Sequence, residues 1–224
     1  MTSTDFPFIP YTQDSISEKE MIERSKSFYE KVDKRRSVRD FSDEPVSKEV
    51  MENIIMAAST APSGAHKQPW TFCLISNASL KSKLRELAEE EEKKSYGGRM
   101  SDEWLKDLAP LGTDWVKEFI DIAPWIVVIM KRAYEFNEDG SKHNNYYVTE
   151  SVGLAAGFFL LAVQNAGLVA LTHTPSPMNF ISKALNRPEN ERPFLLIPVG
   201  HPAKNAEVPS LTRKSKEEVI HYYE

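Results

Sequence analysis

The chain has almost no cysteine: of its 224 residues only Cys73 carries a thiol. An intrachain disulfide is therefore excluded, and a reducing compartment suits the sequence. Cys73 lies in the apolar run Trp70-Thr71-Phe72-Cys73-Leu74-Ile75 and reads as a buried structural residue, not a nucleophile. Positive charge is not in excess either. With 28 basic against 33 acidic residues and a pI near 5.7, nucleic acid is not the expected partner. The glycine-rich dinucleotide fingerprint is absent, as are HExxH, paired CxxC and a nucleophile elbow. His66, His143, His173, His201 and His221 are scattered without metal-ligand spacing, so no metal is expected. The longest apolar run, Gly153 to Val163, is too short for a bilayer and suits a buried core helix. Met1 to Gln13 lacks a basic region followed by an apolar core, so a signal peptide is not expected and the protein reads as soluble and cytoplasmic, with no membrane partner.

What is present supports a core of real size, with 41% hydrophobic residues. No repeat or interior boundary divides the chain, so 1–224 reads as one domain, with 1–34 an N-terminal segment and helix and 201–224 an extension that wraps a partner. Hydrophobic spacing predicts helices over 15–34, over 48–60 behind an N-cap at Ser47 (burying Val50, Ile54, Ile55 and Ala58), over 79–95, 114–121, 146–166 and 179–185. Strands are expected over 71–76, 125–130, 168–172 and 194–200. The segment 137–145 reads as a polar loop, and 96–112 as a mobile lid with weak core patterning around Trp104 and Leu108. This element pattern is compatible with an α+β class.

The chemistry concentrates in a few places. In Arg35-Arg36-Ser37-Val38-Arg39, guanidinium groups and a hydroxyl fall close together, and an extended chain would turn Arg35, Ser37 and Arg39 the same way, toward one anion. A solvated basic patch explains the same residues. The loop Thr60-Ala61-Pro62-Ser63-Gly64-Ala65-His66-Lys67-Gln68-Pro69-Trp70 is low in bulk and can bring backbone N–H groups to a flat ligand, or it is an ordinary connector. Glu92 and Tyr96 share a face of the 79–95 helix, as paired ligands or as a solvated acidic face with a capping tyrosine.

Taken together, Arg35 to Arg39, Ala61-Pro62-Ser63-Gly64 and Gln68-Pro69-Trp70 resemble the FMN-dependent nitroreductase superfamily. Ala65-His66, Glu91-Glu92 to Tyr96, Arg99-Met100, Trp115-Val116-Lys117-Glu118, Gln164 to Val169 and Thr172-His173-Thr174-Pro175 narrow the resemblance to its iodotyrosine deiodinase family, from Arg35 to Lys214. The resemblance implies a mixed, mainly antiparallel sheet flanked by helices, in an intertwined homodimer with FMN at the interface. It implies FMN contacts from Arg35, Arg36, Ser37, Arg39, Pro62, Ser63, Gly64, Thr172, His173, Thr174 and the late Arg213. Glu92, Tyr96 and Lys117 would take the amino-acid end of a halotyrosine, and the Ala65 N–H its phenolate. Thr174 would bond flavin N5 and favour single-electron steps. The implied reaction is reductive removal of halide from iodo-, diiodo-, bromo- or chlorotyrosine. NADPH, acting directly or through a reductase, would supply the electrons. Animal members carry an N-terminal membrane anchor that this sequence does not show. Two other readings stay open: a general NAD(P)H-dependent nitroreductase or flavin reductase with an open site, and a non-catalytic FMN or halotyrosine-binding module. Taken alone, Thr174 is a strand-end residue and Arg213 surface charge.

Overall fold

The structure, a computed structural model, describes residues 6–224. It divides into a unit ending at Arg35 and a second unit, Arg36–Glu224. In the first, helix α1 (Glu18–Asp33) begins at Ser17, whose hydroxyl accepts the Glu20 N–H, and Glu20 and Arg24 pair one turn apart. α1 buries none of its residues, and Met21, Ile22, Phe28 and Tyr29 all stand exposed.

The second unit is built on a four-stranded sheet with the order β1-β2-β6-β5: β1 Trp70–Ile75, β2 Trp125–Arg132, β5 Val169–Ala170 and β6 Glu191–Gly200. Neighbouring strands are antiparallel, and a parallel bridge from Ser37 to Ala170 makes the sheet mixed. β2 lies inside, covered on both faces, which explains its unbroken apolar sequence. Its residues alternate: Val127 and Ile129 meet helices α2 (Lys48–Ala58) and α6 (Val148–Asn165). Ile126, Val128 and Met130 meet α3 (Ala78–Lys94), α5 (Phe119–Ile122) and α7 (Asn179–Ala184) on the other face. The expected α+β class with helices on both sides of the sheet is the fold found.

α6 has the length and composition of a membrane span, alone among the described helices, yet Val152, Ala155, Ala156, Phe159 and Val163 pack into the core. Gly167 follows it at φ 79°, a left-handed stop. Ser47 caps α2 as expected, but Met51 is buried where Val50 was expected, a shift of one position in the helical phase.

Some segments depart from the sequence reading. The polar stretch 137–145 closes a hairpin of β3 (Tyr134–Phe136) and β4 (Lys142–Asn144). The 168–172 strand shrinks to β5, and β6 starts earlier than expected, at Glu191. The 114–121 helix is reduced to α5. Asp114 Oδ1 accepts the Val116 N–H and Glu89 Oε1 accepts the Lys117 N–H, so both donors leave the helical ladder. The 96–112 stretch contains helix α4 (Asp102–Leu108), capped by Ser101 and bounded by Gly98 (φ 137°) and Gly112 (φ 58°). Helix α8 (Lys216–Val219) is the one helix of the C-terminal extension.

Phe159 is the largest of the fully buried side chains and lies in the core between α6 and the sheet. Phe159→Ala is expected to lower unfolding stability by roughly 3–5 kcal/mol, read as a shifted urea midpoint at constant slope.

Candidate functional site

The basic segment is extended only in part. Ser37 bridges Ala170, the Val38 N–H donates to Ala170 O at 3.3 Å, and Val38 is buried. This anchor turns Arg39 the opposite way from the core, into a cavity of about 240 Å³. Burial lowers the Arg39 pKa, while Tyr96 and Asp40 raise it. Arg35 closes the N-terminal unit, its N–H donating to Val32 O. Arg36 and Arg213 do not line the cavity.

Besides Arg39, the same cavity gathers Glu92, Tyr96, Lys117, Thr172, His173 and Thr174, so its lining is drawn from more than half of the sequence. Glu92 comes from the last turn of α3 and Tyr96 from the π-helical turn Ser95–Arg99 that follows. Glu92 Oε2 and Lys117 Nζ lie 3.6 Å apart, with side chains 10% and 4% exposed. Burial pushes the Glu92 carboxyl up and the Lys117 ammonium down, and each charge pulls the other back toward its ionised form. Lys117 Nζ also donates to Asp114 O and Thr113 Oγ1. The Tyr96 hydroxyl donates to Thr113 O at 3.1 Å. Met100, Trp104, Leu108 and Leu111 also line the cavity, so α4 contributes part of its wall.

Thr172, His173 and Thr174 run extended, bridged to Leu196 through His173. Period-two alternation leaves the threonines exposed and buries the imidazole, which meets Phe119 edge-on at 5.6 Å. His173 Nε2 is buried with no hydrogen-bond partner. Burial, with Lys117 and Arg39 nearby, lowers its pKa to about 3.

Pro62, Ser63, Gly64 and Ala65 do not line this cavity. They form a separate tight turn in which Ala65 (φ 49°), His66 (φ 54°) and Gln68 (φ 46°) all adopt left-handed torsions. Such torsions in non-glycine residues are held only by their surroundings. Ser63 Oγ accepts the Gln68 N–H at 2.9 Å, Arg132 donates to Gln68 O, and Lys67 Nζ meets His143 Nε2 at 2.8 Å. A Cβ on Gly64 would sit 2.9 Å from Tyr146 O and from the Tyr147 ring, so the turn packs too closely for any other residue. Ser63 O and Gly64 O accept the His66 and Lys67 N–H groups, and the Gly64 N–H donates to Ser151 Oγ. The N–H of Ala65, an exposed residue, is not among these donors.

The sequence reading missed Thr113, Phe119 and Leu171 as cavity walls, and Glu89 beneath Lys117. The apolar ones carry no pattern apart from ordinary core residues. Glu89 belongs to a run of glutamates whose members differ only in their place on the helix.

His173 allows a pH test. The imidazole takes a proton near 6.5 when unfolded and only near 3 when folded. The unfolded chain therefore binds the extra proton, and stability falls as pH drops below 6.5 until about 3. Between about pH 7.5 and 5.5 this amounts to about 1.4 kcal/mol. In denaturation of the cofactor-free protein, His173→Gln is expected to lose that much less stability than the wild type over this interval.

A profile of the Nitroreductase family matches residues 32–201. The chain is 57% identical over 216 residues to the iodotyrosine deiodinase of Haliscomenobacter hydrossis, covering 96% of this chain and 97% of that protein. It is 50% identical to the enzyme of Hydra vulgaris, over 95% and 79%, and 45% identical to iodotyrosine deiodinase 1 of Homo sapiens, over 95% and 74%. Its fold is similar to the crystal structure of oxidized iodotyrosine deiodinase bound to FMN and 3-iodo-L-tyrosine (TM-score 0.73, 29% identity, covering 88% of this chain and 99% of that one). The chain belongs to the nitroreductase family of enzymes, among its iodotyrosine deiodinases.

Proposed function

We propose that this protein reductively removes halide from halotyrosines, with FMN as its cofactor. The buried Glu92–Lys117 ion pair inside the cavity carries the reading. A buried pair left without one partner costs several kcal/mol. An amino-acid zwitterion brings one charge of each sign, so its ammonium on Glu92 and its carboxylate on Lys117 keep every charge paired. The Tyr96 hydroxyl, now on Thr113 O, lies on the same wall and adds a donor to that end of the ligand. A halophenol without the amino-acid group has nothing to exchange with the pair.

Two features support FMN as the resident group. His173 Nε2 is a buried polar atom with no partner, and a polar cofactor in the cavity would supply one. Arg39, kept charged at working pH, suits an anionic group, and Arg36, Ser37 and Arg213 are assigned with it to the phosphate. Pro62, Ser63 and Gly64 are assigned to the ring, with Thr172, His173 and Thr174 on its other contacts. When bound, FMN supplies the two electrons that, with one proton, convert the carbon–halogen bond to carbon–hydrogen and release halide, in single-electron steps. Thr174 presents a hydroxyl that can donate to N5. The Ala65 N–H, outside the turn's own hydrogen bonds, suits a phenolate oxygen. Any ring halogen lowers the phenol pKa, so this donor favours bromo- and chlorotyrosine along with the iodo compounds.

The site assigned to one reaction is split within one chain, because the Ala65 turn does not line the cavity of Glu92 and Lys117. A homodimer that brings the turn of one copy to the cavity of the other accounts for this. Leu154 and Phe158 on α6, 48% and 39% exposed, supply apolar surface for that contact.

Anaerobically reduced holoprotein mixed with 3-iodotyrosine is expected to release iodide and tyrosine in equal amounts. No iodide, with reduction of nitroaromatics intact, would point to a general nitroreductase. Lys117→Met is expected to raise KM for iodotyrosine by roughly 10- to 100-fold, the loss of one charged contact.

A further inference from the structure

Lys117 is held to α3 at two points, only one of which is its ammonium. Its backbone N–H donates to Glu89 Oε1 at 2.9 Å, while its Nζ meets Glu92 Oε2 at 3.6 Å. Glu89 and Glu92 are three residues apart and share a helix face. Glu89 is in turn fixed from the other side: the same Oε1 accepts Arg85 Nε at 2.7 Å, and Arg85 Nη1 reaches Asp121 Oδ2 at 2.9 Å on α5. Asp121 Oδ1 also accepts Ser82 Oγ, and the buried Lys81 donates to the carbonyls of Asp121 and Ala123 at 2.8 and 2.7 Å. Burial works to raise the Glu89 pKa, but Arg85 and the Lys117 N–H hold it below the usual carboxylate range. Its acceptor is therefore fully ionised at working pH. Upstream of Lys117, residues 113–116 are irregular, with the Val116 N–H turned back onto Asp114. The Glu89 carboxylate thus holds the Lys117 backbone against α3, as Glu92 holds its ammonium.

We infer that Glu89 is a positioning residue for recognition of the substrate's amino-acid end, acting through the Lys117 backbone. This rests on the proposed role of Lys117 as the carboxylate partner. Glu89 has no contact with the cavity, and its effect reaches the ligand only by placing Nζ beside Glu92. Misplacing a charged donor by an ångström or so forfeits most of a charge-assisted hydrogen bond, which corresponds to about a tenfold loss of affinity.

The test is ligand titration of the FMN-loaded protein with 3-iodotyrosine and, separately, 2-iodophenol. Glu89→Ala is expected to weaken iodotyrosine binding about tenfold and leave iodophenol binding unchanged. In a Lys117→Met background the same change is expected to add nothing, because its route to the ligand is gone. Should Glu89→Ala not fold, Glu89→Gln and Glu89→Asp decide the matter. The amide keeps an acceptor at the same reach and is expected to bind iodotyrosine nearly as wild type. The shorter carboxylate keeps its charge for Arg85 but withdraws from the Lys117 N–H, and is expected to bind several-fold more weakly. Equal losses for both ligands, an undiminished effect in the Lys117→Met background, or aspartate outperforming glutamine would overturn the inference, since each marks a role in anchoring α3 alone. If Lys117→Met by itself left iodotyrosine affinity intact, the role given to Lys117 would fail instead.

Discussion

The Glu92–Lys117 ion pair is the constraint around which the second unit's ligand cavity is arranged. Two charges are held out of water at 3.6 Å, and burial works against the ionised form of each. Such a pair adds little net stability compared with apolar residues of the same size, but removing one member leaves a costly orphan. On the proposed reading, its value lies in what it can exchange with. The fold keeps it in place from two directions in the chain: Glu89, Arg85, Asp121, Ser82 and Lys81 tie α5 and the residues flanking it to α3, and Asp114 and Thr113 accept from the ammonium. Met100, Trp104, Leu108 and Leu111 add apolar surface to the cavity wall, and apolar surroundings lower the local dielectric and strengthen charge interactions.

The second pole of the proposed site is made of backbone. The turn at Pro62–His66 contains left-handed torsions at Ala65 and His66, with Gln68 just beyond, and it is braced by Ser63, Arg132, the Lys67–His143 contact and the close approach of Tyr146 and Tyr147 to Gly64. Strain of this kind persists where a precise backbone geometry is needed. The ion pair suits a zwitterion and the Ala65 N–H suits a phenolate, and a halotyrosine carries both ends in one small molecule. That the two poles do not share a cavity in one chain is the physical argument for a second copy.

Much of this was legible from the residues. The unbroken apolar run of β2 announced a strand buried on both faces, Ser47 announced the start of α2, and Gly167 the end of α6. Glu92, Tyr96 and Lys117 were assigned through family resemblance, and the fold brings them to one cavity with Arg39 and Thr172 to Thr174. The glutamate run shows where reading stops. Glu89 braces Lys117, Glu90 is exposed, Glu91 pairs with Lys94 and Arg99, and Glu92 enters the cavity. Only the rotation of α3 against α5, a tertiary fact, separates these roles. For the same reason 114–121 read as a helix: the loss of its N–H groups to Asp114 and Glu89 depends on side chains whose positions spacing cannot reveal. Thr113 and Phe119 became cavity walls only once that segment was placed.

The central claim is that the buried pair selects the amino-acid end of the ligand. The most direct measurement is the affinity of the FMN-loaded protein for 3-iodotyrosine against 2-iodophenol, which share the halogenated ring and differ in the zwitterion. Two charge-assisted contacts are worth roughly 100-fold or more, so iodotyrosine is expected to bind at least that much more tightly. Equal affinity for the two would contradict the account.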